Sequence, residues 1–295
     1  MPLKILDLGR QFRPKTSIVY PPFKNGRYME EYFYDYSTNP DNTAKIETDR
    51  IYIPAFWTNI QNHPNFSNMK ESLNIILKKT YSLFPESTSY FTIVQADLGV
   101  DLVLPKNTLV FGACYGDIPL PLIYEDITNK LLNTPRLEKR KLRGSFVGTN
   151  THPLRQNLFN SIKRNPKFKV EVPSTWTNSV PKSQADTFIK TTLNSKYCLA
   201  PRGFGRSSFR FFEAMLLDTV PVYFWDDTEW LPYKDILDYS KFAVSIHETE
   251  IDKTAQILKS ISHERYLSMV EELKKVRHYF TLEGMSEYII SKLKQ

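Results

Sequence analysis

Only two cysteines, Cys114 and Cys198, occur in 295 residues. That excludes a disulfide framework, and neither has neighbours at metal-ligand spacing. Cys198 lies inside an apolar run, where a buried, inert thiol is expected. The histidines at 63, 152, 247, 263 and 278 show no ligand spacing either, so no metal site and no bound cofactor are expected. No apolar run approaches the ~20 residues that span a bilayer. The opening MPLKILDLGRQFRPK is too short in apolar content for a signal peptide. A soluble protein of the reducing cytoplasm is therefore the expectation. Internal repeats and low-complexity tracts are lacking as well. The charge balance is only mildly one-sided, with 39 Lys+Arg against 32 Asp+Glu for a net +7. A surplus this small and dispersed suits an anionic small molecule as well as nucleic acid. The one dense basic run, Arg136 to Arg143, contains Glu138 and reads as a solvated helix or linker.

What is present is enough apolar material, 41% of residues, to fill real cores. At this length two domains are the natural division. The first 45 residues, rich in Tyr, Pro and Asn, show weak periodicity and are expected to wrap the surface of the first domain. Strands are predicted at Arg50–Pro54, Tyr90–Val94 and Thr108–Gly112, with a helix over Asn68–Leu83 between the first two. The pattern restarts with a strand at 144–148, a helix at about 153–163, a strand at 169–172 and a helix at 184–193. Helices at about 252–261, 263–279 and 283–294 close the chain. Strands alternating with helices imply α/β architecture with parallel sheets. The divisions expected are 1–140, 141–280 and a last helix, 281–295, that packs back on the first domain.

Residues 196–226, KYCLAPRGFGRSSFRFFEAMLLDTVPVYFWD, carry the chemistry. An apolar strand stops at Pro201, a loop with two glycines and two arginines follows, and then come a helix and a second apolar strand. That is the layout with which α/β proteins receive a phosphorylated ligand. Gly203 and Gly205 allow special backbone conformations and close approach. Ser207 and Ser208 stand where helix N–H groups need caps or can bind phosphate. Arg202 and Arg206 can clamp a diphosphate. On the helix Phe209, Phe212 and Leu216 form an apolar stripe, while Arg210 and Glu213 share another face. Glu213 is assigned to the two hydroxyls of a ribose, with a structural ion pair to Arg210 as the alternative. The pair Asp226–Asp227 reads as a metal-motif mimic or as a turn after the strand.

The same residues, SKYCLAPRGFGRSSFRFFEAM followed by TVPV, an acidic pair and LP, resemble the signature of the exostosin family, glycosyltransferase family 47. The likeness is dense over about 195–280, and IPAFW, QADLG, DIPLP and FVGTNTHPLRQNL resemble further family blocks upstream. The resemblance implies a GT-B architecture: two Rossmann-like domains facing a cleft, with the nucleotide sugar held mainly by the C-terminal one. It implies an inverting hexosyl- or pentosyltransferase that uses no metal for the donor diphosphate. The donor expected is a UDP-sugar and the acceptor a hydroxyl of a glycan or glycoprotein. No nucleic-acid partner is expected, and the alternative is a non-catalytic nucleotide-sugar or carbohydrate-binding protein of the same fold. Inversion needs a base on the acceptor hydroxyl. Asp97, in QADLG after the strand YFTIV, is that candidate, with Asp101 and Asp117 in reserve. Ala96 departs from the histidine more usual before that aspartate. Arg155 is expected to help neutralise the diphosphate and His152 to act on the same ligand. Trp176 and Tyr197 are placed against the nucleobase, and Trp57, Phe56 and Tyr115 on an acceptor surface.

Overall fold

A computed structural model describes residues 1–15 and 20–294. The chain divides into two compact units, one of Met1–Ser17, Arg27–Glu125 and Thr281–Gln295, the other of Ile18–Gly26 and Asp126–Phe280. In the first unit the order is β1 (Lys4–Ile5), α1 (Met29–Thr38), α2 (Pro40–Thr43), β2 (Ile51–Tyr52), α3 (Trp57–Gln61), α4 (Phe66–Tyr81), β3 (Tyr90–Val94), β4 (Thr108–Gly112) and β5 (Ile118–Pro119). These five strands form one parallel sheet in the order β1-β2-β3-β4-β5. Its centre, β3, is buried at every position, which its unbroken apolar sequence YFTIV requires.

The second unit begins its sheet with β6 (Leu142–Val147), then α5 (Pro153–Ile162), β7 (Phe168–Glu171), α6 (Lys182–Leu193), β8 (Ser195–Pro201), α7 (Phe209–Leu216), β9 (Val220–Trp225) and β10 (Val244–His247). α8 (Thr254–Ser260) and α9 (His263–Val276) follow. The sheet is again fully parallel, in the order β10-β9-β8-β6-β7. The last helix, α10 (Leu282–Leu293), belongs to the first unit, where it packs on α1 with Met285 and Ile289 fully buried.

Two expectations fail here for identifiable reasons. The N-terminal segment is no surface wrapping: β1 joins the sheet, and Phe12, Met29, Phe33 and Ile46 have no exposed surface. Its short elements and scattered aromatics disguise a core contribution that periodicity cannot register. The run 136–143 is not a helix, and its arginines are not solvated. Arg140 donates to the carbonyls of Ser195, Leu217 and Asp218 at 2.7, 3.2 and 2.8 Å. Arg136 reaches Asp218 Oδ2 at 3.0 Å and the Leu216 carbonyl at 2.6 Å. Both guanidinium groups tie off the backbone where α7 turns into β9. That tie draws residues 126–140 into the second unit, so the division falls at Glu125/Asp126 and not near 140.

α7 is buried more broadly than a single stripe. Phe211, Phe212, Ala214 and Met215 are all buried, while Phe209 and Leu216 are only half-buried. Among the described residues no helix is long and apolar enough to cross a membrane.

Candidate active site

The carboxyl end of the second unit's sheet is built by the register of two central strands. Pro201 of β8 pairs with Phe224 of β9, so the chain leaves both strands at the same level. Arg202 and Arg206 follow the first strand and Asp226 and Asp227 the second. The pairing is direct. Arg202 Nη1 donates to Asp226 Oδ1 at 2.6 Å and to Asp227 Oδ1 at 3.0 Å, and its Nη2 donates to the Phe204 carbonyl at 3.0 Å. Arg206 places both Nε and Nη2 on Asp227 Oδ2, at 2.8 and 2.6 Å. Burial pushes the Asp227 carboxyl upward, but the hydrogen bond and charge of Arg206, with Arg202 behind it, prevail and hold it at about 2. The acidic pair is therefore more than a bare turn: it is the counter-ion set of the loop arginines. Among the described residues, no group of three or more His, Cys, Asp and Glu side chains stands ready to hold a metal ion.

The loop itself is braced from below by Arg155. Its Nε donates to the Arg202 carbonyl at 2.9 Å, Nη1 to the Thr149 carbonyl at 2.5 Å and Nη2 to the Pro201 carbonyl at 3.2 Å, while the guanidinium lies over the Phe146 ring. A fork committed to three carbonyls shapes the loop, which corrects its assignment to the diphosphate. Gly203 is needed for this packing: a Cβ there would stand 3.1 Å from Arg155 Nη2 and 3.3 Å from Thr151 Oγ1. Neither Gly203 nor Gly205 has a positive φ, so close approach is the reason for glycine at 203 and no unusual backbone conformation is involved.

α7 starts at this loop. Ser208 is its N-cap, with extended backbone and no capping bond from its side chain. Ser207 and Ser208 are both buried. The first-turn N–H groups thus lack the serine cap that usually satisfies them, and they carry the partial positive charge of the helix terminus. One turn on, Arg210 pairs with Glu213, whose side chain is 3% exposed. Arg210 Nε also donates to the Val147 carbonyl at 2.9 Å, and its guanidinium covers the Phe188 ring. Glu213 therefore meets the loop as one half of an ion pair.

His152 caps α5, its Nδ1 accepting from Leu154 N at 3.3 Å, and its Nε2 stands 3.7 Å from Asp226 Oδ2. Burial and then the Arg202 charge lower its pKa, so at neutral pH the ring is uncharged. His247 Nε2 lies 2.9 Å from the Asp226 carbonyl oxygen and fixes the turn from the other side.

Other expected residues stand elsewhere. Tyr197 is near the start of β8, buried in the core and edge-on to Tyr266, so it is four residues short of the strand end and cannot meet a nucleobase. Trp176 is 54% exposed, and its ring packs against Tyr20, which also touches Phe209 at the head of α7. Cys198 is buried, with its thiol pushed up to about 12 by desolvation, the inert group expected.

In the first unit, Asp97 is exposed in the turn after β3, with Cys114 Sγ 3.9 Å from its Oδ1. Gly99 has φ +77°, and a Cβ on it would meet the Cβ of half-buried Tyr115 at 3.2 Å, so the Asp97 turn and the Tyr115 loop abut. The reserve carboxylates are engaged: Asp101 with Lys70 at 2.6 Å, and Asp117 with Val110 N at 2.8 Å. Trp57 is the clear correction. It has no exposed surface, and its Nε1 donates to Thr92 Oγ1 at 2.8 Å inside the core, so it cannot stack on a sugar.

Sequence reasoning missed Glu30, which is fully buried in α1 beneath the same strand ends. Its Oε1 accepts from Gln95 N at 2.9 Å, Thr58 N at 3.2 Å and Thr58 Oγ1 at 2.8 Å. Burial raises its pKa to about 7 against the pull of those bonds. A signal existed, since Glu30 falls on the buried helix face of Phe33 and Ser37, three and seven residues on.

Residues 115–261 match the exostosin GT47 domain. A probable glycosyltransferase of Arabidopsis thaliana is 36% identical over 31% of this chain and 19% of its own length. A probable glucuronosyltransferase of Oryza sativa subsp. japonica is 25% identical over 77% of this chain and 61% of its own. The crystal structure of TarM covers 74% of this chain and 57% of TarM, with 11% identity and a TM-score of 0.37. The chain thus spans less than two thirds of either curated relative. Residues 115–261, just under half of the chain, match the exostosin GT47 domain, and the chain is similar to the exostosin-like glycosyltransferases.

Proposed function

We propose that the chain transfers a sugar from a nucleotide-sugar donor, UDP-linked, to a hydroxyl of a glycan acceptor, with inversion at the anomeric carbon. The observation that carries this is the pair of arginines at the uncapped start of α7. Arg202 and Arg206 flank a helix terminus that carries partial positive charge and has no side-chain cap from Ser208, an arrangement that suits a diphosphate without a metal ion. Glu213, oriented by Arg210, is assigned to the ribose. Asp97 is assigned as the base that takes the acceptor proton, since it is exposed in the turn that leaves the carboxyl end of the central strand β3.

The test has two arms. UDP or a UDP-sugar should raise the melting temperature of the protein, because a ligand bound only by the native state stabilises it. R206Q should reduce that rise sharply. D97N should keep the rise while losing sugar transfer by a factor on the order of 10² or more. Absence of any shift with UDP and every UDP-sugar would overturn the assignment. Retained transfer in D97N would remove Asp97 from it. A D97N phenotype confined to acceptor affinity would point to a binding protein with residual turnover.

A further inference from the structure

The two loop arginines are not equivalent. Arg202 is 6% exposed in its side chain and Asp226 19%, whereas Arg206 is 21% and Asp227 44%. The inner pair is locked on every side. Asp226 Oδ1 also accepts from Asp227 N at 2.8 Å, His152 faces Oδ2, and His247 holds the carbonyl. The outer pair is held more loosely, although Asp227 Oδ1 also takes a bond from Arg202 Nη1 at 3.0 Å and the Arg206 guanidinium lies over the Trp230 ring at 5.6 Å. Tyr223 Oη donates to the Arg206 carbonyl at 2.6 Å, and Thr228 N donates to Asp227 Oδ1 at 2.8 Å. Among these contacts the Arg206 guanidinium donates twice to Asp227 Oδ2, on a carboxylate whose side chain is 44% exposed.

Two arginines and two aspartates cancel, His152 is neutral, and the remaining cation, Arg155, is committed to three carbonyls beneath the loop. A diphosphate approaching this loop gains no charged partner unless one of the pairs opens. The inner pair is buried and shared, so opening it would strand the Arg202 charge away from water. The outer pair is the cheap one to open, since its members are partly hydrated already. We propose that Asp227 is an exchangeable counter-ion, holding Arg206 in the unloaded protein and yielding it to a donor phosphate. The inference rests on the nucleotide-sugar reading of the loop. It adds that Asp227 opposes donor affinity while keeping Arg206 extended and ready, and that the loop discriminates against singly charged anions too weak to displace a carboxylate.

The experiment is UDP titration by calorimetry on the full chain, without and with Mn²⁺. D227N retains an oxygen to accept from Thr228 N and removes the charge. It should bind UDP about two- to fivefold more tightly than the parent, the worth of one exposed ion pair. D227S provides the same reading if D227N melts early. Equal or weaker UDP binding in both variants would overturn the proposal, because Asp227 would then be orienting Arg206 rather than competing for it. UDP binding that requires Mn²⁺ and is lost in D227N would also overturn it, by making Asp227 a metal ligand. R206Q separates the two levels of inference. Unchanged UDP affinity in R206Q would remove the nucleotide reading itself, whereas weakened affinity with no gain in D227N would remove only the exchange.

Discussion

The two sheets end in polar groups satisfied by opposite means. At the carboxyl end of β8 and β9, four charged side chains neutralise one another across a partly hydrated surface. At the carboxyl end of β2 and β3, one carboxyl is sealed inside the protein and collects backbone and hydroxyl donors. The first arrangement can change partners when an anion arrives. The second cannot, and its only freedom is a proton. Where charge is paired at the surface the site is adaptable; where a single acid is buried the surroundings are rigid and sensitive to pH.

The comparison is broken most severely at Trp57. W57A should destabilise the first unit by about 3–5 kcal/mol, from a lost core ring and the lost Nε1 bond to Thr92 Oγ1, whose own bond to the Ile53 carbonyl remains. Denaturant unfolding measures this, and W57F should keep acceptor KM near the parent value. Next comes Glu30. Its pKa of about 7 in the folded state lies above the ordinary glutamate value of 4.5, so the folded protein keeps this proton after the unfolded chain has lost it. Stability should therefore fall between pH 4.5 and 7 and then level off, by about 3 kcal/mol in all. E30Q should flatten that part of the pH profile. A parent protein with no slope there would mean the acid is not buried as described. The smallest effect belongs to the loop. G203A should cost about 1 kcal/mol or less in stability but weaken UDP binding several-fold, because Arg155 must shift and take the Arg202 carbonyl with it.

Much of the second unit was legible. The run SKYCLAP had only one fate, a buried parallel strand, and the loop after it announced a helix N-terminus. Partners were less visible than positions. Nothing local says that Asp226 and Asp227 meet Arg202 and Arg206, since that contact depends on the register of β8 against β9. Arg155 shows the same limit: a helix arginine near a phosphate loop reads as a ligand until its three carbonyls are seen. The first unit was harder because its edge strands have two residues each, below any periodicity. Trp57 and Tyr197 were misplaced because an aromatic beside a motif looks the same in sequence whether it faces a ligand or the core.

The chain passes between its two units four times, with Ile18–Gly26 assigned to the second before the first is half made, and Thr281–Gln295 returned to the first at the end. Neither unit can be released by a single cut. During synthesis the first unit must wait for α10, whose Leu282, Met285, Ile289 and Leu293 are all buried, before its core is filled. The first unit's core is thus completed only after the whole second unit has been made, and deleting Thr281–Gln295 should cripple the unit that was begun first.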